Sequence, residues 1–475
     1  MFERIGQIVQ VSLKFVCHSI NGRIIEGNDK HIITSITTDS RKVEEGALFI
    51  ALVGEKFDGH EFVQTALEHG AYAAVVSRVT DILLPEGKTL ILVDDTLQAL
   101  QDLASSYRKC FDIPIIAVTG SVGKTTCKEL VALCLSSTWK ILKTKGNYNN
   151  DIGLPLTLLQ LDRSYEMAVV EMGMRGLGEI QRLAAIARPK YALISNIEPV
   201  HLETMGSLEN ITRAKCEVLA EIPEDGFALI NGDYKLLIEK AREYSCRKYT
   251  FGYNNDCDFQ LVDCQIRHSK MKIKMRWQNQ LKTLLFPLPA RKLALNVVAA
   301  TSMAYLLGIK TESIKSSLMN YKPSGNRLNI INLESGGAVI NDTYNANPVS
   351  MAAALETGRE LATPGKYLAV LGDMFELGNL ETEAHLKVGR IAYTSGVDLL
   401  ITVGDLAQNI ARGALETGMN PKQVCHFLTK AEALEYLQTR VDNEWTLLFK
   451  ASRGMQLETL VEELFAKGCL RKAIK

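Results

Sequence analysis

One stretch of this chain, Ile115-Ile116-Ala117-Val118-Thr119-Gly120-Ser121-Val122-Gly123-Lys124-Thr125-Thr126, constrains its fold more than any other. It reads as strand, loop and helix start, in that order. The apolar, β-branched run is the pattern of a strand covered on both faces. Gly120 and Gly123 let the backbone curl so that its N–H groups converge on an anion. Lys124 puts a cation on the β- and γ-phosphates, the Thr125 hydroxyl is placed for Mg²⁺, and the following helix adds the positive end of its dipole. The usual phosphate-loop pattern would have glycine at the place of Val118, and this chain has T-G-x-x-G-K-T instead. Residues 119–126 are thus expected to cradle ATP. The loop does not say what the ATP is for.

A sheet built around that loop cannot be the whole of a 475-residue chain, so two to four domains are expected. Rhythm divides the sequence into three. In residues 1–112 short strands at 47–53 and 73–77 alternate with helical stretches at 60–69 and 97–110. Pro114 then forces an extended backbone before it and marks a boundary. In residues 113–322 apolar runs at 167–170, 192–195 and 227–230 follow the loop strand and alternate with amphipathic helices, as in a mainly parallel sheet. Residues 248–253 and 271–277 alternate residue by residue, which predicts a small antiparallel excursion. Residues 323–475 begin at the turn-rich joint Tyr321-Lys322-Pro323-Ser324-Gly325 and carry apolar runs at 337–340, 367–371, 399–403 and 446–449. The fold class expected is α/β in three domains.

Lys plus Arg and Asp plus Glu both total 54, so the net charge is zero. Nothing in that balance argues for nucleic acid or an anionic membrane as partner, and an anionic ligand must be held by local groups. No apolar run approaches the ~20 residues that span a bilayer, so no membrane insertion is expected. The N-terminus mixes Glu3, Arg4 and Lys14 into its apolar residues and lacks a signal-peptide layout. The ten cysteines form no C-x-x-C pair, which suits reduced thiols in a cytoplasmic protein. Cys127 and Cys134, seven apart, suit helix packing.

In open α/β sheets ligands collect at the C-terminal ends of strands. The run at 167–170 ends in Glu171, a carboxylate that either holds Mg²⁺ beside the phosphates or simply faces solvent. The run at 192–195 leads through Asn196-Ile197-Glu198-Pro199-Val200 to His201, which by itself is as readily structural as a ligand. Lys215 lies on an amphipathic helix and reads by composition as a surface lysine.

Together with further motifs these residues resemble the Mur ligase family, which builds the peptide of bacterial peptidoglycan. The resemblance runs through Thr38-Asp39-Ser40-Arg41, Gly46-Ala47-Leu48-Phe49 and Phe57-Asp58-Gly59-His60 near the start. It continues through Asn149-Asn150-Asp151-Ile152-Gly153-Leu154-Pro155, Glu171-Met172-Gly173-Met174, His201-Leu202-Glu203 and Ala214-Lys215. It ends with Asp342-Thr343-Tyr344-Asn345-Ala346-Asn347-Pro348, Leu371-Gly372-Asp373-Met374-Phe375-Glu376-Leu377-Gly378 and Lys450-Ala451-Ser452-Arg453. A D-N-P-R motif, typical of the diamino-acid-adding members, is absent.

The resemblance implies ATP-dependent ligation of D-Ala-D-Ala to UDP-MurNAc-tripeptide through an acyl phosphate, by a monomeric enzyme. The N-terminal domain would bind the UDP-linked substrate, the central domain would be the P-loop ATPase, and the C-terminal domain would be Rossmann-like. Residues Thr119, Gly120, Ser121, Val122, Gly123, Lys124, Thr125 and Thr126 would bind ATP with two Mg²⁺ ions. Thr125, Glu171, His201 and Lys215 would handle the metal, Lys215 as a carbamate formed with CO₂. Lys124, Glu171, His201 and Lys215 would be the catalytic set. Asn296, Arg327, Asp342, Asn345 and Asn347 would hold the nucleotide from across a domain joint. Asp39, Ser40, Arg41, Asn149, Asn150, Asp373, Lys450, Ser452 and Arg453 would contact the substrates. Closure of the third segment over the ATP site would assemble the geometry.

Some positions depart from the family pattern. Ala290-Arg291-Lys292-Leu293 replaces G-x-H-N, Asn196-Ile197-Glu198-Pro199 replaces a glycine-bearing approach to His201, and Ala451 stands where glycine is usual. Two alternatives stay open: a Mur-type ligase adding a different amino acid, and a nucleotide-dependent switch protein.

Overall fold

The strand Ile115–Thr119 is buried at every residue and pairs in parallel with Met167–Glu171 on one side and Tyr191–Ile194 on the other. Its alternate residues enter different cores, Ile115 and Ala117 on one face, Ile116 and Val118 on the other. That double burial is what the continuous apolar run requires. The computed structural model describes residues 10–54, 57–79, 82–200, 202–267, 270–362 and 365–473.

Around this strand lies a nine-stranded sheet. From one edge its order is Ile141–Lys143, Met167–Glu171, Ile115–Thr119, Tyr191–Ile194, Phe227–Asn231, Arg247–Gly252, Phe259–Arg267, Lys270–Trp277 and Gln280–Phe286. The first seven run parallel and only the last two pairings are antiparallel. The antiparallel excursion expected from 248–253 is therefore corrected: Arg247–Gly252 pairs in parallel with Phe227–Asn231. Period-two alternation reports a half-covered face, and says nothing about strand direction.

Two smaller sheets flank it. Arg23–Glu26, Thr89–Leu92, Ala73–Val76, Ala47–Ile50 and Ser35–Thr37 form one, parallel except for Arg23–Glu26. Asn329–Asn332, Ala338–Asn341, Thr446–Lys450, Tyr367–Gly372, Leu399–Val403 and Val424–Phe427 form the other, parallel except for Asn329–Asn332.

The joints between the sheets differ in kind. The helix Thr96–Arg108 is capped by the Asp95 carboxylate, which accepts from Leu97 N and Gln98 N at 2.7 and 3.1 Å. It binds the first sheet to the central one. Tyr107 donates its hydroxyl to Leu161 O at 2.6 Å, and Arg108 donates to the carbonyls of Ala187, Phe111 and Ile113. A single hydrophobic core runs from Val11 through Leu103 to Ile222, across the Pro114 boundary. The third sheet instead has two cores of its own, drawn from residues 328–470. Ion pairs at its border with the centre are Arg175–Glu376 at 3.3 Å, Arg291–Glu360 at 3.1 Å and Lys292–Glu356 at 3.3 Å.

Cys127 and Cys134 are fully buried on the helix Lys124–Leu135, as their spacing predicts. Among the described residues all ten cysteines are free thiols, and no helix is long and apolar enough to cross a membrane.

Because Tyr107 fastens the shared core by a buried hydroxyl, Tyr107→Phe leaves the Leu161 carbonyl without that donor. The expected cost is about 1–3 kcal/mol, read as a lower urea midpoint. An unchanged midpoint would show that the bond contributes nothing to holding the first two segments together.

Candidate functional site

The loop after Ile115–Thr119 turns at Gly120, with φ +149°, and enters the helix Lys124–Leu135 through Gly123, with φ +77°. Both angles are ones that side chains resist. A Cβ at Gly120 would also collide with the Ser195 hydroxyl. Lys124 is half-buried, and its Nζ turns into the loop and donates to Gly120 O at 2.9 Å and Ser121 O at 3.1 Å. Burial lowers its pKa, the Glu171 carboxylate acts against that, and Arg327 adds to it. The C-terminal segment thus brings Arg327 within electrostatic reach of the loop. Thr125 is buried in the first helical turn, and the buried Thr119 hydroxyl has no hydrogen-bond partner. Asn296 stands directly over the loop: a Cβ on Gly123 would lie 3.0 Å from its Nδ2. The helix Ala294–Leu306 delivers it there although Ala290–Leu293 departs from the family pattern.

Glu171 ends its strand 2% exposed, so the solvent-facing reading fails. Its Oε1 accepts from Asn149 Nδ2 at 2.7 Å, and its backbone N–H donates to Thr144 Oγ1 at 3.0 Å. Its Oε2 is buried without a partner. A carboxylate oxygen left bare in a buried site fits a cation. Mg²⁺ suits such a place, since it needs only one or two carboxylates plus substrate phosphates.

Lys215 is a correction. It is 2% exposed, where composition gave a surface lysine. Its pKa falls well below that of a free lysine, chiefly through burial and next through the charge of Lys124. The sequence held a signal for this. Leu208, Ile211, Thr212 and Lys215 share one helical face, and Ile211, Thr212 and Lys215 are all buried. His201 lies outside the described residues.

From the third sheet, Asp342 accepts from Leu328 N at 3.0 Å and from Lys450 Nζ at 2.6 Å. Lys450 also donates to Asn345 O at 2.9 Å. Arg327 stacks on the Tyr344 ring at 3.5 Å, and Arg453 lies 5.9 Å from the same ring while pairing with Glu458. Asp373 is buried and accepts from Ala407 N at 2.8 Å. Burial raises its pKa. The Ser452 hydroxyl accepts from Phe375 N at 2.9 Å. Asn347 caps the helix Pro348–Ala362 through Ser350 N at 2.8 Å, and Asn345 accepts from the next residue's N–H at 2.9 Å.

In the first segment Asp39 and Arg41 make a fork of 2.8 and 2.9 Å bonds flanking Ser40. The guanidinium holds the Asp39 carboxyl down to about 2. Asn150 caps the helix Gly153–Leu158 through Gly153 N at 2.9 Å. The structure thus brings Lys124, Thr125, Glu171, Lys215, Asn149 and Asn296 around the loop, with Arg327 reaching toward it. Asp39, Ser40 and Arg41 sit apart, at the short 3-10 helix Ser40–Lys42 after the strand Ser35–Thr37.

Sequence reasoning missed four contributors. Asn196 bonds the loop amides, Thr144 seats Glu171, the fully buried Lys128 donates to Thr144 O at 2.6 Å, and Tyr344 carries Arg327. Only Lys128, a lysine on a helix face with Cys127 and Val131, had a local signal.

Three family models match successive stretches of the chain. The Mur ligase family catalytic domain matches residues 32–108, the Mur ligase middle domain residues 118–304, and the Mur ligase glutamate ligase domain residues 326–453. UDP-N-acetylmuramoyl-tripeptide–D-alanyl-D-alanine ligase of Bacillus subtilis is 38% identical over 96% of this chain and 99% of its own. The enzyme of that name from Escherichia coli is 34% identical over 97% of this chain and all of its own, 100%. A crystal structure of MurF from Acinetobacter baumannii superposes with a TM-score of 0.87 at 30% identity, covering 97% of this chain and 100% of that one. MurF of Thermotoga maritima, solved with ADP, gives 0.79 at 29% identity, covering 91% and 97%.

Glu171→Gln keeps the contact to Asn149 and removes the charge from the bare oxygen. It should weaken Mg²⁺-dependent ADP binding about tenfold or more, while Mg²⁺-free ADP binding holds. Calorimetric titration with and without Mg²⁺ separates the two, and equal loss in both would rule out a metal role.

Proposed function

The chain belongs to the Mur ligase family, and on that premise we propose that it ligates D-alanyl-D-alanine to UDP-N-acetylmuramoyl-tripeptide with hydrolysis of ATP to ADP and phosphate. The observation that carries this reading is similarity along the whole chain to enzymes of that name, together with a phosphate loop set among buried charged groups.

The chemistry follows from the electrophile. A carboxylate expels oxide poorly, so the tripeptide carboxylate first takes the γ-phosphoryl group. The dipeptide amine then attacks the acyl phosphate, and phosphate leaves. The first step brings anions together in a site that holds Lys124, Lys215 and Glu171. Lys124 leaves the loop carbonyls it now holds and neutralises phosphate oxygens as charge builds. The uncapped start of the helix Lys124–Leu135 offers its first-turn amides to the same oxygens. Mg²⁺, held by Thr125, Glu171, His201 and Lys215, would supply further neutralisation of the transferring phosphoryl group.

Lys215 fits that set only if it changes charge. Burial and the charge of Lys124 shift Lys215 toward its neutral amine, the form that attacks CO₂ with release of a proton. The carbamate so formed is an anion that Lys124 beside it stabilises. Asn296, Arg327, Asp342, Asn345 and Asn347 serve the nucleotide in this reading. Asp39, Ser40, Arg41, Asn149, Asn150, Asp373, Lys450, Ser452 and Arg453 serve the two acceptor substrates. Residues 1–112, 113–322 and 323–475 act as the UDP-substrate, ATP and C-terminal ligase domains of a cytoplasmic monomer.

The assay combines purified protein, ATP, Mg²⁺, UDP-MurNAc-tripeptide and D-Ala-D-Ala, and follows phosphate release with product mass. Release is expected to depend on both acceptor substrates. Release independent of the dipeptide, or stimulated only by another amino acid, would overturn the assignment. Lys215→Ala should lose at least about 10²-fold in rate, and added bicarbonate should not restore it.

A further inference from the structure

We infer that Asn196 is a positioning residue for the nucleotide: its carboxamide holds the phosphate loop in the curl that receives ATP. Asn196 Oδ1 accepts from Ser121 N at 3.0 Å and from Val122 N at 2.8 Å, and its Nδ2 donates to Val122 O at 2.8 Å. One side chain therefore satisfies three backbone groups at the crest of the loop.

Its neighbours tighten the same joint. The Ser121 hydroxyl donates to Glu198 O at 2.9 Å and accepts from Glu198 N at 2.8 Å. The Ser195 hydroxyl donates to Val122 O at 3.2 Å, and Asn231 Nδ2 anchors Ser195 O at 2.9 Å. Glycine at 120 is what lets the Ser195 hydroxyl come this close.

A scaffold and a displaceable stand-in for phosphate are both conceivable uses of Oδ1. The backbone separates them. Ser121 N also donates to the main-chain oxygen of Asn196, at 3.1 Å, so the contact continues the pairing of two adjacent strands. A phosphate entering the cradle does not unzip that pairing. The amides of Ser121 and Val122 are spent on the scaffold, and the first turn of the helix Lys124–Leu135, with no side-chain cap, is what remains for phosphate. The same strand end runs on toward residue 201 and the helix bearing Lys215, so loop shape and the second half of the site share one support.

This inference rests on the loop being the nucleotide site, which ADP binding by the unsubstituted protein tests separately. The experiment titrates full-length Asn196→Ala with Mg²⁺–ADP by calorimetry and measures KM for each substrate. ADP affinity should fall about tenfold or more and KM for ATP rise in step. KM for UDP-MurNAc-tripeptide and for D-Ala-D-Ala should stay within about twofold. Asn196→Asp keeps the acceptor but loses the donor to Val122 O and sets a negative charge by the phosphates. It should bind ADP more weakly than the alanine variant. A folded Asn196→Ala protein with unchanged ADP affinity overturns the inference, as does a fall in melting temperature with all KM values unmoved. If Asn196→Ala does not fold, Ser121→Ala removes the hydroxyl clasp alone and should weaken ADP by a smaller factor. Unchanged affinity there overturns the inference equally.

Discussion

Inside this protein the charge of Lys124 lowers the pKa of the buried Lys215, while Glu171 and Arg327 act in opposite senses on Lys124 itself. Burying an amine beside an ammonium disfavours its charged form, and Lys124 offsets part of its own burial by donating to Gly120 O and Ser121 O. The sign is plain for Lys215. Its folded pKa lies well below 10.5, so between the two values the unfolded chain holds a proton that the native one lacks. Stability from this group rises with pH through that window, and the penalty is complete below the folded pKa. A chain of zero net charge that keeps such a pair is arranged for guests that arrive with negative charge. Phosphates are such guests, and a carbamate on Lys215 would be another.

That constraint bears on how the segments are joined. The first two share one hydrophobic core and cannot separate without exposing it. The third is fastened to the centre by ion pairs whose partners are largely exposed, 75% and 58% for Arg175 and Glu376. Such pairs contribute roughly 0–1 kcal/mol each. They cannot hold a domain rigidly. Arg327 nevertheless reaches across to influence Lys124. A polyphosphate bound between Lys124 and Arg327 would add cohesion across that joint.

What could be read from the sequence was what is local. The strand, two glycines, lysine and threonine of the loop are consecutive, and their chemistry follows from spacing alone. The sheets followed from apolar runs of the right length, because double burial leaves a signature in a few residues. Strand direction at 247–252 did not follow, since alternation is blind to it. Lys215 was misread because its burial is set by what packs on the helix, although its helical face carried a clue. Asn196 was read only as a step toward His201. Its partners are 74 and 75 residues away in sequence, and no spacing rule connects them.

Several motif residues turn out to be committed to the backbone, and this limits how they can serve a ligand. Asn150, Asn347 and Asp373 each accept from a main-chain N–H at or near a helix start. Their effect on a substrate runs through the loop shape they impose, as well as any lone pair left over. Asp342 is the sharpest case. One carboxylate oxygen is taken by Leu328 N and the other by the buried Lys450. A carboxylate pinned at both oxygens cannot swing, so its remaining lone pairs point in fixed directions. Lys450 is itself pinned by Asn345 O, which ties the ends of two strands of the third sheet into one rigid acceptor. Rigid acceptors of this kind discriminate by geometry, since a hydroxyl displaced by an ångström loses its bond.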